Sequence, residues 1–224
     1  FRTRCSALIS FNKKNILIDT SPDLRQQLLS SKVTSIDQVL YTHMHADQTH
    51  GINDLRVFYL KKQKKIPVYC DKQTAKYLYK NFSYCFIKKY DYPPILKLKS
   101  LKKSLILGEK KNKINIKSIK VKHGLIDSIA YIINNKIAYI SDANHLYDKD
   151  YKYFKNLKYL VIDCLRYKKH PSHFNLEDVL KIVNFLKPKK TILTNLHSDL
   201  DYNQLLKLLP NNIVPGYDGL SIKI

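Results

Sequence analysis

The most informative stretch of the chain is "YTHMHADQTHG", Tyr41–Gly51. His43 and His45 are one residue apart, Asp47 follows two residues later, and Gln48 comes directly after it. An apolar run that reads as a strand precedes this stretch, so the turn after the strand can aim both imidazoles at one point. Imidazole and carboxylate ligands suit zinc, manganese or iron and leave positions open for water. The stretch therefore predicts a metal site at the end of a strand.

Further polar side chains follow other apolar runs. His123 lies two residues after the run "IKSIKV". Asp142 directly follows "KIAYIS", and His197 directly follows "KTILTNL". A single histidine in such a place is more often a core or capping residue. Several at corresponding strand ends predict one shared site, because rigid sheets carry functional residues in the loops at their edges.

The hydrophobic periodicity predicts an α/β protein in which sheets pack on each other with helices outside. We expect a single domain over residues 1–224, since no linker or repeat interrupts the pattern. The lysine-rich segment 97–113 is predicted to be an irregular surface arm. Strands are predicted at 5–11, 15–20, 38–43, 66–70, 115–121, 128–134, 136–141, 159–165, 190–196 and 219–224. Helices are predicted at 21–31, 72–82, 175–186 and 201–209, the first three capped by Ser21, Asp71 and Asn175.

The charge balance indicates an anionic partner. Lysine and arginine number 40 against 18 acidic residues, a net charge of +22. A phosphate ester or RNA fits this balance. The alternative is the mutational bias of an AT-rich genome, which also fits the low count of 5 glycines and the absence of tryptophan.

The four cysteines form no C-x-x-C pair, which favours buried free thiols in a reducing cytoplasm. We therefore expect a cytoplasmic protein. No apolar run approaches the roughly 20 residues of a membrane span, so no membrane partner is expected.

The motifs resemble a known family. "LYTHMHADQTHG" resembles the H-x-H-x-D-H signature of the metallo-β-lactamase superfamily. "ILIDTSPDLRQQLL", "IAYISDA", "HPSHFNLEDVL" and "VPGYDGLSI" resemble the branch that contains the cyclic-ribose phosphate phosphodiesterase of phosphonate breakdown. The resemblance implies an αββα sandwich with two mixed β-sheets, helices outside, and a two-metal site on one edge.

The resemblance also implies roles for individual residues. His173, in the "HPSHF" loop, corresponds to the histidine that protonates the leaving group. Asp47 is implied both as a catalytic residue and as a ligand of the second metal. Some relatives carry the last ligand histidine where Asn195 stands. The implied metal ligands are His43, His45 and His123 for the first metal, Asp142 as the bridge, and Asp47 and His197 for the second metal.

This chain departs from the family pattern in three ways. Gln48 stands where a histidine normally completes the second metal site, so its part as a ligand is open. Asn195 stands where some relatives carry the last ligand histidine, so this ligand is expected later in the chain, at His197. The glycine-rich N-terminal strand and cysteine-containing zinc loop are absent, and we expect such a segment to precede Phe1. The hypothesis is one tight metal and a second that is weak or exchangeable.

The residues and the resemblance together predict a metal-dependent hydrolase that cleaves a phosphodiester, with a cyclic phosphate among the candidates, by metal-bound hydroxide. One or two divalent transition metals are expected, zinc first and manganese or iron as alternatives. The expected partner is a small anionic phosphodiester, with RNA as the second choice. The alternatives are an RNA nuclease of the tRNA 3′-processing type and a non-catalytic binding module with a degraded second site. The role of Asp163 stays open, and Asp19 and Asp23 are expected to orient a ligand or to cap an element instead of binding the metal themselves.

Overall fold

A computed structural model describes residues 2–89, 91–109 and 112–223, with the backbone alone at Glu109 and Asn112. The chain divides into two compact units, Phe1–Leu101 and Lys102–Ile224. The expectation of one domain over residues 1–224 stays a prediction. No helix in the described ranges is long and apolar enough to cross a membrane.

Unit 1 is built on a five-stranded mixed sheet with the order β1-β2-β3-β4-β5. β1 and β2 pair antiparallel, and the other neighbours are parallel. Its strands are β1 Ala7–Phe11, β2 Lys14–Ile18, β3 Gln38–Leu40, β4 Ile66–Cys70 and β5 Leu96–Ser100. Its helices are α1 Leu24–Ser30, α2 Ala46–Thr49, α3 Arg56–Lys62 and α4 Lys72–Asn81, with short 3₁₀ turns at Ile52–Leu55 and Ser83–Cys85.

Unit 2 is built on a seven-stranded mixed sheet with the order β12-β11-β10-β9-β8-β7-β6. β6 to β9 pair antiparallel, whereas β9, β10, β11 and β12 are parallel. Its strands are β6 Ser104–Glu109, β7 Asn112–His123, β8 Ile126–Ile133, β9 Ile137–Ile140, β10 Tyr159–Asp163, β11 Lys190–Thr194 and β12 Ile213–Pro215. Its helices are α5 Leu176–Leu186 and α6 Tyr202–Leu208, with a 3₁₀ turn at Asp148–Tyr153.

Each unit has its own apolar core. In unit 1, Leu24 of α1 and Phe58 of α3 are buried with Val39 and Val68 of the central strands. In unit 2, Val179 and Val183 of α5 belong to the same buried cluster as apolar residues of β9, β10 and β11. In each unit the helices therefore cover an apolar face of the sheet, as the hydrophobic periodicity of the sequence predicts.

Two of the predicted helix caps are confirmed. The Asp71 side chain accepts a hydrogen bond from Thr74 N, and the Asn175 side chain accepts one from Asp178 N. Ser21 is not a cap, because α1 begins only at Leu24. The Ser21 hydroxyl instead donates to Gln27 Oε1, and residues 22 and 23 form a turn.

Two segments differ from the sequence-based expectation. The predicted arm at 97–113 contains most of β5, all of β6 and the first two residues of β7. In "LKLKS" apolar and polar residues alternate at the strand period of two, and in "SLILGE" the half-buried Leu105 and Leu107 alternate with the exposed Ile106; Lys110 and Lys111 lie outside the described residues. The predicted last strand at 219–224 is wrong, since residues 220–223 have no regular structure. Residues 213–215, which the prediction left out, pair with β11 as β12; Ile224 lies outside the described residues.

The four cysteines are free, and all but Cys5 are buried. Burial raises the pKa of Cys70 and Cys164 to about 12, with the nearby aspartates Asp71 and Asp163 adding to the effect. The thiols are therefore protonated core groups, in agreement with the expectation of buried free cysteines.

Gly51 is held against the segment that follows β2. A Cβ at this position would lie 2.0 Å from Ser21 O and 2.9 Å from Leu24 Cβ. We expect Gly51→Ala to lower the free energy of unfolding by about 1–3 kcal/mol, the usual range for overpacking. Gly219→Ala is the control, because no atom of the described residues lies within 4 Å of its Cβ position and only its φ of +85° carries a cost. Equal urea midpoints for the two variants would contradict the prediction.

Candidate metal centre

The histidines that follow β3 approach each other closely within unit 1. His43 Nε2 lies 2.9 Å from His45 Nδ1, and the two ring centroids are 4.5 Å apart. His43 is buried, whereas His45 is exposed and precedes the first residue of α2. Two imidazole nitrogens that converge in this way form a suitable ligand pair for a transition metal.

A buried aspartate sets the orientation of His43. Asp19 adopts the left-handed conformation (φ 61°) and accepts hydrogen bonds from Thr42 N and Thr42 Oγ1, both at 2.8 Å. Thr42 Oγ1 also lies 3.0 Å from His43 Nδ1. Because the hydroxyl hydrogen goes to the carboxylate, His43 Nδ1 must donate to Thr42 Oγ1. The lone pair of His43 is then on Nε2, the nitrogen that faces His45, and the expected orienting role of Asp19 has a physical basis.

Asp47 and Gln48 lie side by side in α2. Gln48 is fully buried, and its Nε2 donates to Asp47 Oδ2 at 2.9 Å. Gln48 Oε1 is buried too, and it has no hydrogen-bond donor within the described ranges. His50, at the end of the same stretch, is exposed and lies 3.1 Å from Tyr77 Oη through its Nε2. The structure thus separates His50 from the ligand pair and joins Gln48 to Asp47.

Strand direction brings a second set of polar residues together within unit 2. β7 runs in the same direction as β9, and β9, β10 and β11 are mutually parallel, so their carboxyl ends lie on one edge. The potential ligand atoms of His123, Asp142 and His173 all lie within 4.8 Å of one another. His123 and Asp142 are buried, and the His173 side chain is 15% exposed. Mixed histidine and carboxylate ligands of this kind suit a divalent metal.

His123 is fixed by a contact between two loops. His123 Nδ1 lies 2.7 Å from Ser172 O, and it must donate because a carbonyl only accepts. The lone pair of His123 is therefore on Nε2. Gly124 has φ +59°, and a Cβ there would lie 2.9 Å from Ser172 Cβ. A glycine is required at this point for the loop of residues 170–173 to approach β7.

His173 forms a pair with Asp163. His173 Nδ1 lies 2.7 Å from Asp163 Oδ2, which also accepts a hydrogen bond from Ala143 N. Burial raises the pKa of Asp163 to about 6, although hydrogen bonding to His173 acts in the opposite direction. The carboxylate orients the imidazole with Nδ1 toward the core. The structure thereby assigns Asp163 a site position that sequence reasoning left open, and the signal for it was its place at the end of β10.

Asn195 occupies the end of β11 in the left-handed conformation (φ 59°). Its Nδ2 is close to three oxygen atoms: Ser141 O and Asp142 Oδ1 at 3.3 Å, and Asp163 Oδ1 at 3.4 Å. Sequence reasoning treated this residue only as a shifted ligand position. In the structure its amide group links the carboxylates that follow β9 and β10.

His197 is placed differently from the expectation. Its side chain is 58% exposed and its Nδ1 lies 3.0 Å from Asp199 Oδ1, while its backbone N donates to Leu165 O. It does not belong to the ligand cluster of His123, Asp142 and His173. The left-handed turn at Asn195 directs the following residues outward, so the amide and not the imidazole lies beside Asp142.

Comparisons with known proteins fit this arrangement. The family described as "Beta-lactamase superfamily domain" matches residues 14–195. An octanoyltransferase of Porphyromonas gingivalis is 32% identical over 225 residues, which cover 98% of this chain and 44% of that protein. This chain therefore spans less than half the length of that curated relative.

Solved structures of other proteins also match this chain. A diphosphatase from the PhnP family is 28% identical, with a TM-score of 0.88 over 97% of this chain and 82% of that chain. Two more distant structures share the fold. The short form of human tRNase Z is 15% identical, with a TM-score of 0.74 over 99% and 93% of the two chains. Zinc-bound PqqB from Methylobacterium extorquens is 13% identical, with a TM-score of 0.79 over 99% and 88%.

These matches confirm the expected αββα fold class with two mixed sheets, and they support an enzyme of the metal-dependent hydrolase type. The cluster of histidine and aspartate ligand atoms indicates divalent metal binding. Since the family match extends over most of its length, the chain belongs to the metallo-β-lactamase superfamily and resembles the PhnP family within it.

Proposed function

We propose that this protein hydrolyses a phosphodiester with the help of a bound divalent metal, for which zinc is the first choice. One observation carries the proposal: His43 and His123 each donate from Nδ1 to an oxygen acceptor, so that Nε2 holds the lone pair. Histidines fixed in this tautomer are typical of metal ligands. The similarity to a diphosphatase supports a substrate with a bond from oxygen to phosphorus.

The donor atoms present fit a metal. Unit 1 offers His43 Nε2 and His45 Nδ1 as donors, and unit 2 offers His123 Nε2 and the Asp142 carboxylate. Neutral imidazoles and carboxylates are the nitrogen and oxygen ligands that catalytic zinc uses in proteins. When bound, the metal supplies positive charge to polarise a phosphoryl oxygen and to acidify a water molecule.

The His173–Asp163 pair supplies the proton for the departing alkoxide. With Nδ1 bound to Asp163 Oδ2, the imidazole presents Nε2 as the proton donor. An imidazole has an ordinary pKa of about 6.5, near working pH, which suits general acid catalysis. Asp163 acts on the substrate only through His173, so it is a positioning residue.

An RNA substrate is the second candidate, and the surface of unit 2 favours it. Lys152 Nζ lies 5.3 Å from the Tyr153 ring centroid, and Lys155 Nζ lies 4.6 Å from that of the half-exposed Phe185. Lysines and aromatic rings together suit contacts with phosphates and bases. The similarity to tRNase Z concerns the fold alone and adds nothing to this candidate.

The non-catalytic alternative is disfavoured by the site itself. A module that had lost its chemistry would have no need to keep Asp163 buried and paired with His173, because an ionisable group without water is costly to bury. Asp19 is likewise fully buried and serves Thr42 and His43. Two separate buried carboxylates that orient histidines support a working enzyme.

Removal of one ligand tests metal dependence. We expect His43→Ala to lose most of its bound metal and nearly all activity on bis(4-nitrophenyl) phosphate, because the proposed metal site loses one of its neutral donors. His50→Ala is the matched control, since His50 is exposed and lies against Tyr77. Elemental analysis and initial rates give both readouts. Full activity of His43→Ala after chelator treatment would rule out the proposal.

Variation of the leaving group tests His173. His173→Ala is expected to keep its metal content and to lose about 10²–10⁴-fold in kcat on an alkyl diester, the usual range for a general acid. The loss should be small with a nitrophenolate leaving group, which departs without a proton. Asp163→Asn should lose about 10–100-fold with the same dependence on the leaving group. A loss of equal size for all leaving groups would assign His173 another role.

Salt dependence tests the RNA alternative. If RNA is the substrate, log K for a tRNA should fall steeply with log [salt], and Lys152→Ala/Lys155→Ala should make the slope shallower by roughly 1–2. The control is Lys72→Ala/Lys76→Ala in α4 of unit 1. Weak binding of tRNA that is unchanged by either pair would leave the small diester as the substrate.

A further inference from the structure

We infer that this protein works with one metal ion, and that the side-chain amides of Gln48 and Asn195 replace the second ion of the family site. The inference rests on the proposed metal-dependent function. The family pattern has histidines at or near both positions, and the residues present here do not fit a second cation. The argument stands on two separate hydrogen-bond arrangements, one in each unit.

The first arrangement is the contact between Gln48 and Asp47. Gln48 Nε2 donates to Asp47 Oδ2 at 2.9 Å, so an N–H group and not a cation satisfies this carboxylate oxygen. The positive end of the amide dipole is the wrong partner for a metal ion near the same atom. Asp47 is thereby held by a neutral donor and keeps its other oxygen as an acceptor.

The opposite amide orientation is unfavourable without a metal. It would place Gln48 Oε1 against Asp47 Oδ2, two acceptors at about hydrogen-bonding distance. The observed orientation instead leaves Oε1 buried without a donor among the described residues. A buried acceptor without a partner lowers the stability of the folded state. The bond to Asp47 outweighs this cost, so Gln48 acts as a donor toward the carboxylate.

The second arrangement is the set of oxygens around Asn195 Nδ2. Asp142 Oδ1 and Asp163 Oδ1 belong to separate strand ends, and both lie within 3.4 Å of this nitrogen, as does Ser141 O. A nitrogen surrounded by three acceptors occupies the kind of position that a hard cation prefers. The NH₂ group therefore holds the carboxylates together without adding charge.

Both positions can accept a histidine, which makes the inference testable. Asn195 has φ 59°, a conformation in which asparagine, aspartate and histidine are all enriched. Gln48 is in a short helix and is similar in length to histidine. The double variant Gln48→His/Asn195→His should therefore fold and offer two new imidazole donors next to Asp47 and Asp142.

Metal stoichiometry is the test. Chelator-treated protein is titrated with Zn²⁺ in a calorimeter, and the bound metal is then measured by elemental analysis after gel filtration. We expect one zinc per wild-type chain and two per chain of the double variant. Gln26→His/Asn184→His, at two exposed positions on helices, is the matched control and should stay at one.

Each outcome separates the inference from the proposed function. Two zinc ions of similar affinity in the wild type would overturn the inference and leave the metal-dependent function standing. No bound zinc in the wild type would overturn the proposed function. A double variant that folds, as judged by circular dichroism, but still binds one zinc would overturn the role assigned to the amides.

A second variant covers the case in which the double variant does not fold. Gln48→Glu has the same shape as the wild-type side chain but replaces the N–H donor with a carboxylate oxygen beside Asp47. Two carboxylates at this distance repel each other unless a cation lies between them. We expect Gln48→Glu to bind a second zinc ion, or Co²⁺ followed by its visible absorption. A stoichiometry of one would contradict the inference.

Discussion

The parallel pairing of β9, β10 and β11 is the constraint on which the site of unit 2 depends. Ile140 pairs with Ile162, and Asp163 pairs with Thr194, so the residues just past the three strands emerge side by side. A slip of one residue in either pairing would turn a carboxylate toward the opposite face of the sheet. The chemistry of the site is therefore secured by the apolar strands, whose burial fixes the register.

The fold class and the close approach of His43 and His45 could be predicted from the sequence because both depend on local patterns. His43 and His45 are close in the chain, and the strand before them is visible from its apolar residues. Asp163 was undecided because its contact with His173 depends on a loop that returns across the sheet edge. Local pattern alone does not show where such a loop returns.

The difference between local pattern and backbone geometry also explains where the sequence-based prediction and the structure disagree. The segment with β5 and β6 is predicted to be irregular because lysines dominate its composition, although in β5 apolar residues alternate with polar ones at strand spacing. The family resemblance implied His197 as the last ligand. In the structure, the left-handed residue Asn195 places its amide beside Asp142, and the His197 side chain is 58% exposed. The choice of a ligand residue from the sequence therefore depends on the backbone geometry that is assumed around it.

Amide and imidazole side chains solve a similar problem in different ways. A histidine binds a cation, and the cation then holds the neighbouring carboxylates. A glutamine or asparagine donates its N–H to the carboxylate directly, which keeps the carboxylate in place with no ion. The contacts of Gln48 and Asn195 show the second solution in both units. Such a site has less positive charge, which places more of the attraction of an anionic substrate on the general excess of lysine and arginine in the chain.

The contact at Gly124 has a consequence for the evolution of this chain. Its close approach to Ser172 ties the turn after β7 to the loop that carries His173, and the bond from His123 to Ser172 O reinforces the tie. Insertions or deletions in either loop would displace His123 and His173 at the same time. The two loops are therefore expected to change length only together, so that variation in substrate preference must arise from other parts of the surface.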